Sequence, residues 1–403
     1  MAKQGLFNRT FIVLMGVNFC SALSFYLVMV KITQFAMETY GVVHSVAGLS
    51  VTVYVIAALL TRLLFGSKID QWGVKRALVV GSAVNAVAMA LYLVLMPYEA
   101  LLAVRVAHGF GFAIMSGSAA AGAALVIPRE RYGEGIGYFS MMQALATGVG
   151  PFVAILITRL LDSYTAMFAS AAVIAVLALA SLALLDIPKA AAREPENALQ
   201  EPQSNQNAPV RPRGISALVQ LSVVPLACVL FMCYLGYAGI LSYITLYAAE
   251  LQLEDAVSLY FVVYAIVILI SRPPVGRRVD RKGENSVIYW CFISLTCGFV
   301  ILGLAANGAM LLASAALAGF GIGATQSITQ AVIARDTPPD ELGRANSTFF
   351  MSMDLGSGVG PIVIGALIPF IGYRGSYLVL AGIAVLAGVV YHLVHGRKQR
   401  SGR

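Results

Sequence analysis

One carboxylate, Asp354, lies deep inside an apolar stretch of the sequence, in FFMSMDLGSGVG. If its helix begins near Arg344, a rise of about 1.5 Å per residue places Asp354 ~15 Å deep, near the centre of a bilayer. A carboxylate at this depth is costly and tends to serve a function, because desolvation favours its protonated form. We therefore predict that Asp354 binds a proton or a cationic substrate group. The alternative is a structural hydrogen-bond anchor between helices.

A second charged residue, Arg105, lies near the start of the apolar segment LLAVRVAHGFGFA. This position is shallow enough for its guanidinium to snorkel towards the membrane surface, which is the alternative to a functional role. A fixed cation near a cavity can also tune a carboxylate or bind an anionic group. His108, one helical turn further on, is interpreted as a packed or hydrogen-bonded side chain.

The composition indicates that membrane helices position these groups. The chain has 403 residues, 59% hydrophobic and 11% charged, whereas about 25% of residues are charged in soluble proteins. A water-soluble fold is therefore excluded, and we predict an all-α membrane protein with twelve transmembrane helices of about 20 residues or more. The apolar segments are 9–37, 44–66, 75–96, 100–127, 135–158, 164–186, 217–249, 256–273, 286–306, 309–334, 345–369 and 375–395. The first is too long for a signal peptide and is expected to remain in the protein.

The 27 Lys and Arg residues are distributed unevenly between the two sides of these segments. With the N-terminus inside, Lys31, Arg159 and Arg374 fall outside, Arg105 falls within a helix, and the remainder fall inside. The positive-inside rule then predicts cytoplasmic termini and a multi-pass protein of the cell membrane. The net charge of +8 is accounted for by this basic membrane face and needs no nucleic-acid partner.

Residues 187–216 are rich in Pro, Gln, Asn and Glu and contain few apolar residues. This composition predicts a disordered cytoplasmic linker. It separates an N-terminal six-helix half, residues 1–186, from a C-terminal six-helix half with a basic cytoplasmic tail, residues 217–403.

The two halves repeat one another at an offset of 210 residues. Arg62, Gly66, Asp70 and Gly73 recur as Arg272, Gly276, Asp280 and Gly283, and Gly148, Gly150 and Pro151 recur as Gly358, Gly360 and Pro361. Tyr54 and Tyr264 obey the same offset. Because an even number of helices separates the copies, both halves have the same orientation, as in transporters whose halves rock around a central site.

These repeated motifs resemble those of the major facilitator superfamily. GSKIDQWGVK is similar to the superfamily's loop between helices two and three, and LLAVRVAHGFGFA is similar to an element of its proton-coupled members. GVGPFVAI resembles the antiporter motif of drug and metabolite exporters, although Ile155 stands where a glycine often closes it; GSGVGPIVIG is complete through Gly365. The resemblance covers the whole chain, favours the bacterial drug and metabolite efflux branch, and implies a coupling role for Arg105 with Asp354.

The duplicated loop predicts a gate. Its residues are Gly66, Asp70, Gly73 and Lys75 in the first copy and Gly276, Asp280, Arg281 and Gly283 in the second. We expect Asp70 to meet the start of helix eleven near 345–347, and Asp280 that of helix five near Gly135, through the helix dipole. The alternative for both is an ordinary solvated loop.

The glycines and prolines of helices five and eleven are expected to allow close packing and bending. They are Gly148, Gly150, Pro151, Gly356, Gly358, Gly360, Pro361 and Gly365. Polar and aromatic residues on the pathway helices predict a substrate cavity with few fixed charges. They are Asn18, Tyr26, Ser116, Gln143, Tyr234, Tyr237, Tyr243, Tyr264, Gln326 and Met351.

Enzymatic function is not favoured, because the sequence has no HExxH or GxSxG motif and its five cysteines show no CxxC spacing. It has no GxxxxGK[ST] motif either, so an ion gradient is the expected energy source. We predict no cofactor and no bound metal. The predicted function is proton-coupled export of a small amphipathic molecule by a monomer in the lipid bilayer. Uptake and a non-transporting receptor or scaffold are the alternatives.

Overall fold

Long apolar runs without strand alternation fold into long helices, because the lipid core requires backbone groups to bond within each segment. The computed structural model describes residues 6–94, 96–128, 131–185, 219–338 and 341–397. The helices in these ranges are α1 Arg9–Tyr40, α2 His44–Trp72, α3 Val74–Leu91, α4 Tyr98–Val126, α5 Tyr132–Leu161, α6 Tyr164–Ser181, α7 Val224–Glu250, α8 Glu254–Lys282, α9 Asn285–Gly303, α10 Gly308–Asp336 and α11 Leu342–Tyr391. Eleven candidate membrane spans are present in this described part of the chain.

The last helix, α11, is interrupted at Gly372, whose φ of 66° and ψ of 179° are not helical. Its 50 residues would extend about 75 Å if they were straight, more than twice the ~30 Å hydrocarbon thickness of a bilayer. We call residues 342–371 the first arm of α11 and residues 373–391 its second arm.

The second arm runs antiparallel to α9. Arg374, at its start, donates a hydrogen bond to the carbonyl of Ala305 just after α9 ends, at 3.2 Å. Tyr391, at its end, donates to Asn285 Oδ1 where α9 begins, at 2.9 Å. The chain therefore reverses at Gly372, between the two segments expected at 345–369 and 375–395.

The repeat at an offset of 210 is also visible in the packing. A Cβ built on Gly109 of α4 would lie 2.2 Å from the carbonyl oxygen of Tyr54 in α2. A Cβ built on Gly319 of α10 would lie 2.7 Å from the carbonyl oxygen of Tyr264 in α8. Only glycine permits these approaches, so equivalent helices pack in the same way within each half.

The two halves meet along α2 with the first arm of α11, and along α5 with α8. These two contacts are again related by the offset. A Cβ on Gly148 would lie 2.4 Å from Cβ of Ala265, and one on Gly358 would lie 3.1 Å from Cβ of Val55. The predicted close packing at these glycines thus joins the halves.

Two predicted loops are helical instead. The backbone of α2 continues to Trp72 and that of α8 to Lys282, beyond the expected ends at 66 and 273. The turns that follow use Gly73 and Gly283, with φ of 83° and 77°, values that favour glycine. The predicted linker, 187–216, lies outside the described residues.

Candidate functional site

An ion pair between Arg62 and Asp354 joins the two halves. Arg62 belongs to α2 and Asp354 to the first arm of α11. Their side chains are 33% and 25% exposed, so both charges are largely removed from solvent. The Arg62 guanidinium also lies 5.9 Å from the centre of the Phe112 ring. This pairing was not predicted from the sequence, which placed Arg62 only at the cytoplasmic end of its helix.

A cluster of tyrosines lies where α1, α7 and α8 approach one another. The rings of Tyr234 and Tyr237 are 5.8 Å apart, and Tyr237 stacks on Tyr264 at 5.6 Å. The Tyr26 hydroxyl lies beside the side chains of Tyr237 and Gln143. We call Tyr26, Tyr234, Tyr237 and Tyr264 the tyrosine cluster; its members are 3–9% exposed. Five of the predicted cavity residues are thus brought together, from both halves.

Other predicted cavity residues make contacts elsewhere. Asn18 donates to the carbonyl of Phe139 at 3.0 Å and ties α1 to α5. Ser116 donates within its own helix, at 3.4 Å. Gln326 lies 3.9 Å from the sulfur of Met353, between α10 and α11. Met351 is half-buried on the first arm of α11.

Tyr243 lies at a contact between the halves away from the tyrosine cluster. We call the side at which α1 ends and α2 begins the far side, and the opposite side the near side. On the far side, the Tyr243 hydroxyl donates to the carbonyl of Pro361, at 2.6 Å, and lies 3.1 Å from the carbonyl of His44. Nε2 of His44 lies 2.8 Å from the hydroxyl of Tyr373. A Cβ on Gly365 would lie 2.4 Å from the Tyr243 hydroxyl, so this glycine admits the contact.

Two further bonds join the halves towards the far side. Thr52 of α2 donates to the carbonyl of Gly358 at 2.5 Å. Arg159, at the end of α5, forms an ion pair with Asp255, at the start of α8. The described conformation is therefore held closed on the far side.

Arg105 is fully buried, with 0% exposure, so its guanidinium does not snorkel to the surface. Its Nε donates to the carbonyl of Ser50 at 2.5 Å, and its guanidinium lies 4.5 Å from the centre of the Tyr54 ring. Nη1 lies 3.2 Å from Nδ1 of His108 and 3.4 Å from the hydroxyl of Tyr92. Hydropathy did not distinguish snorkelling from burial, because both place a long cation near a helix end. His108 is hydrogen-bonded, as expected.

The gating residues are described only in part. The side chains of residues 65–71, which include Asp70, and of Asp280 lie outside the described residues, as do their expected contacts. Both aspartates lie on helical backbone rather than in loops, which corrects that expectation. Lys75 donates to the carbonyl of Leu185 at 2.6 Å, and Arg281 is exposed near Gly276 at the end of α8.

The remaining glycines of the packing motif approach helices of their own half. A Cβ on Gly150 would lie 2.7 Å from Cβ of Tyr26, and one on Gly360 would lie 2.8 Å from Cβ of Ala238. Pro151 and Pro361 lie inside α5 and α11. Within the described ranges no group of three or more His, Cys, Asp and Glu side chains could hold a metal ion.

Comparisons with known proteins agree with this architecture. The profile of the Major Facilitator Superfamily matches residues 14–309 and 226–402. An uncharacterized MFS-type transporter of Methanocaldococcus jannaschii is 22% identical over 397 residues, 95% of each chain. A multidrug resistance protein of Proteus mirabilis is 28% identical over 187 residues, 45% of this chain and 46% of that protein. A crystal structure of a peptide transporter of the POT family has a TM-score of 0.75 at 13% identity and covers 98% of this chain and 96% of that one. The chain belongs to the major facilitator superfamily of membrane transporters.

Proposed function

We propose that the protein exports a small amphipathic molecule in exchange for protons, by alternating access. The observation that carries this proposal is the ion pair between Arg62 and Asp354, because it joins two halves that must move relative to one another. A proton on Asp354 removes one of the two charges and so ends the ion pair. Proton binding is thereby linked to the freedom of the halves to separate, which is the requirement for coupling.

In the proposed topology each arm of α11 crosses the membrane separately, so that α1 to α10 and the two arms make twelve crossings. The near side is then cytoplasmic by the positive-inside rule, and the far side faces outwards. In the described conformation the outward side is closed by His44, Tyr243 and Tyr373 together with Thr52. Asp70 and Asp280 are proposed to close the cytoplasmic side in the alternate conformation.

Arg105 is proposed to act in coupling by holding α2 in position. It bonds the backbone of α2 at Ser50 and covers the Tyr54 ring, and Arg62 lies two turns further along that helix. Arg105 thus supports the helix that presents Arg62 to Asp354. In this role it is a positioning residue rather than a carrier of the proton.

Export is favoured over uptake by the G-x-G-P sequence of α5 and by the multidrug resistance relative. One observation favours uptake as the second candidate: Ile155 replaces the glycine that often closes the antiporter motif, and it is 3% exposed. The two directions differ in which side releases the substrate.

The test is proton movement in inverted membrane vesicles on addition of amphipathic cations, anions and neutral compounds. We expect a substrate-dependent signal from the wild type and none from Asp354→Asn. Asp162→Asn is the matched control, because Asp162 is an exposed residue with φ of 46°, a conformation that asparagine accepts. Coupled proton movement by Asp354→Asn would disprove the coupling role. A wild-type signal confined to right-side-out vesicles would establish uptake.

A further inference from the structure

Arg272 is the repeat counterpart of Arg62. Each arginine follows a tyrosine of its own helix by eight residues, Tyr54 in α2 and Tyr264 in α8. Eight residues are about 2.2 helical turns, or ~12 Å, so in both helices the arginine lies about two turns beyond the tyrosine and about 80° around the axis. The duplicated helices thus carry two arginines in equivalent positions, one in each half.

The partner of these arginines is not duplicated. Asp354 pairs with Arg62, but its counterpart at the offset of 210 is Ala144. In the described part of the chain Arg272 makes no hydrogen bond or ion pair, and its Nε is buried without a partner. Tyr234 of the tyrosine cluster lies within electrostatic range of its charge.

An unpaired guanidinium beside a buried cluster is costly, because its donors have lost water without gaining acceptors. The cost is removed when a ligand supplies an anion. A guanidinium presents a planar fork of donors that matches a carboxylate, phosphate or sulfonate in two parallel hydrogen bonds. Arg272 is only half-buried, so its outer nitrogens are accessible to such a group.

The charges of the site favour an anion over a cation. Asp354 and Arg62 compensate one another, which leaves Arg272 as an uncompensated positive charge among these three residues. The adjacent tyrosine rings, which are packed on one another in the described conformation, have apolar faces with polar edges, which suit an aromatic or apolar body once the halves separate.

We propose that the transported molecule is an amphipathic organic anion whose acidic group binds Arg272 and whose apolar body packs on Tyr234 and its neighbours in the tyrosine cluster. This inference rests on the proposed function, because it takes the tyrosine cluster as part of the transport pathway. To the proposed function this inference adds that the substrate is negatively charged and that Arg272 is the residue that selects for the charge.

The test measures binding to the purified full-length protein with matched probes: 1-naphthoate and 1-naphthalenesulfonate against the neutral 1-naphthamide. We expect the wild type to bind both anions more tightly than the amide. Arg272→Gln should weaken anion binding by about ten- to one-hundredfold, the usual effect of losing charged hydrogen bonds, and should leave amide binding unchanged. The anion affinity of Arg272→Lys should lie between those of the wild type and Arg272→Gln, because lysine keeps the charge but lacks the planar pair of donors.

Arg277→Gln is the matched control, because Arg277 is exposed on the same helix, and it should bind like the wild type. The proposal is overturned if the amide binds as well as the anions, if neither anion binds, or if Arg272→Gln binds anions normally. Equilibrium binding requires no proton gradient. Loss of anion selectivity with intact proton coupling therefore contradicts this inference alone, and anion binding without coupling contradicts the proposed function alone.

Discussion

The two halves share one packing scheme but differ in their charges. Close glycine contacts recur at the offset of 210, whereas Arg105 and His108 of the N-terminal half correspond to Ala315 and Ala318. Asp354 likewise corresponds to Ala144. The duplicated glycines are those that a bundle needs in order to pack, whereas Asp354 and Arg105, to which we assign coupling, are present in one copy. Arg62 and Arg272 are duplicated, but the carboxylate that pairs with Arg62 is not.

A second difference lies on the near side of the C-terminal half. The carboxylate of Glu284, which is fully buried, accepts two hydrogen bonds from Arg335, at 3.2 and 2.9 Å. Nε2 of His395 lies 2.9 Å from the same carboxylate. The hydrogen bonds that Arg335 donates to Glu284 and Asp336 raise the pKa of Arg335 above its usual range, so its charge is retained at all ordinary pH values. We call Glu284, Arg335 and His395 the near-side clamp.

The N-terminal half has no such charges at the equivalent positions, which are Val74, Leu125 and Leu185. A simpler tie is common to both halves. Lys75 donates to the carbonyl of Leu185, and its counterpart Asn285 donates to the carbonyl of Gly396 at 3.1 Å. The clamp therefore links the near-side ends of α9, α10 and the second arm of α11 within the C-terminal half.

The largest effect is expected from exchanging the charges that join the halves. Arg62→Asp alone places two carboxylates together, and we expect substrate-driven proton movement to fall at least about tenfold, the equivalent of ~1.4 kcal/mol. Combining it with Asp354→Arg restores the attraction. Recovery in the double variant, measured in inverted vesicles, reports the coupling energy between the two positions. A double variant no better than the singles would count against the pairing.

The next largest effect is expected from filling the two glycine contacts between the halves. Gly148→Ala should lower the free energy of unfolding by about 1–3 kcal/mol, as overpacking does, because its Cβ would lie 2.4 Å from that of Ala265. Gly358→Ala should lower the free energy of unfolding by less, since its Cβ would lie 3.1 Å from Cβ of Val55. This milder contact is partly offset by the helix preference of alanine. Thermal unfolding of the purified variants checks the order, and the reverse order would refute it.

A smaller effect is expected at the near-side clamp. Glu284→Gln removes the charge that faces Arg335 and should cost about 1–2 kcal/mol, because Arg335 is half-exposed and water screens part of the interaction. Glu250→Gln is the control, since Glu250 is exposed at the far end of α7. Denaturation of the two variants should separate them; equal stabilities would show that the clamp contributes nothing.

The smallest effect is expected at the far side. Tyr373→Phe removes the hydroxyl that lies 2.8 Å from His44 and should cost about 0.5–1.5 kcal/mol. Tyr377→Phe is the matched control, because the Tyr377 hydroxyl is buried without a hydrogen-bond partner in the described part of the chain. The difference between their unfolding midpoints measures the bond, and no difference would indicate that it is dispensable.

The sequence predicted the features that depend on regular spacing. Apolar segments located the helices because the bilayer imposes their length, and the glycines of helices five and eleven, which include Gly148 and Gly358, were expected to allow close packing. The sequence did not predict the pairing of Arg62 with Asp354. These residues are separated by 292 positions and lie in different halves, so no local pattern connects them. His395 was similarly expected only to end the last apolar segment, 375–395, since its contact with Glu284 arises from the return of α11.

The single residue at the reversal of α11 has a mechanical consequence. Because only Gly372 separates the two arms, the end of the first arm and the start of the second stay together in any movement of either. The second arm extends about 28 Å and leads directly into His395 of the near-side clamp. If Asp354 releases Arg62 as proposed, the hairpin passes a displacement of the first arm to the second arm and so to the near-side clamp.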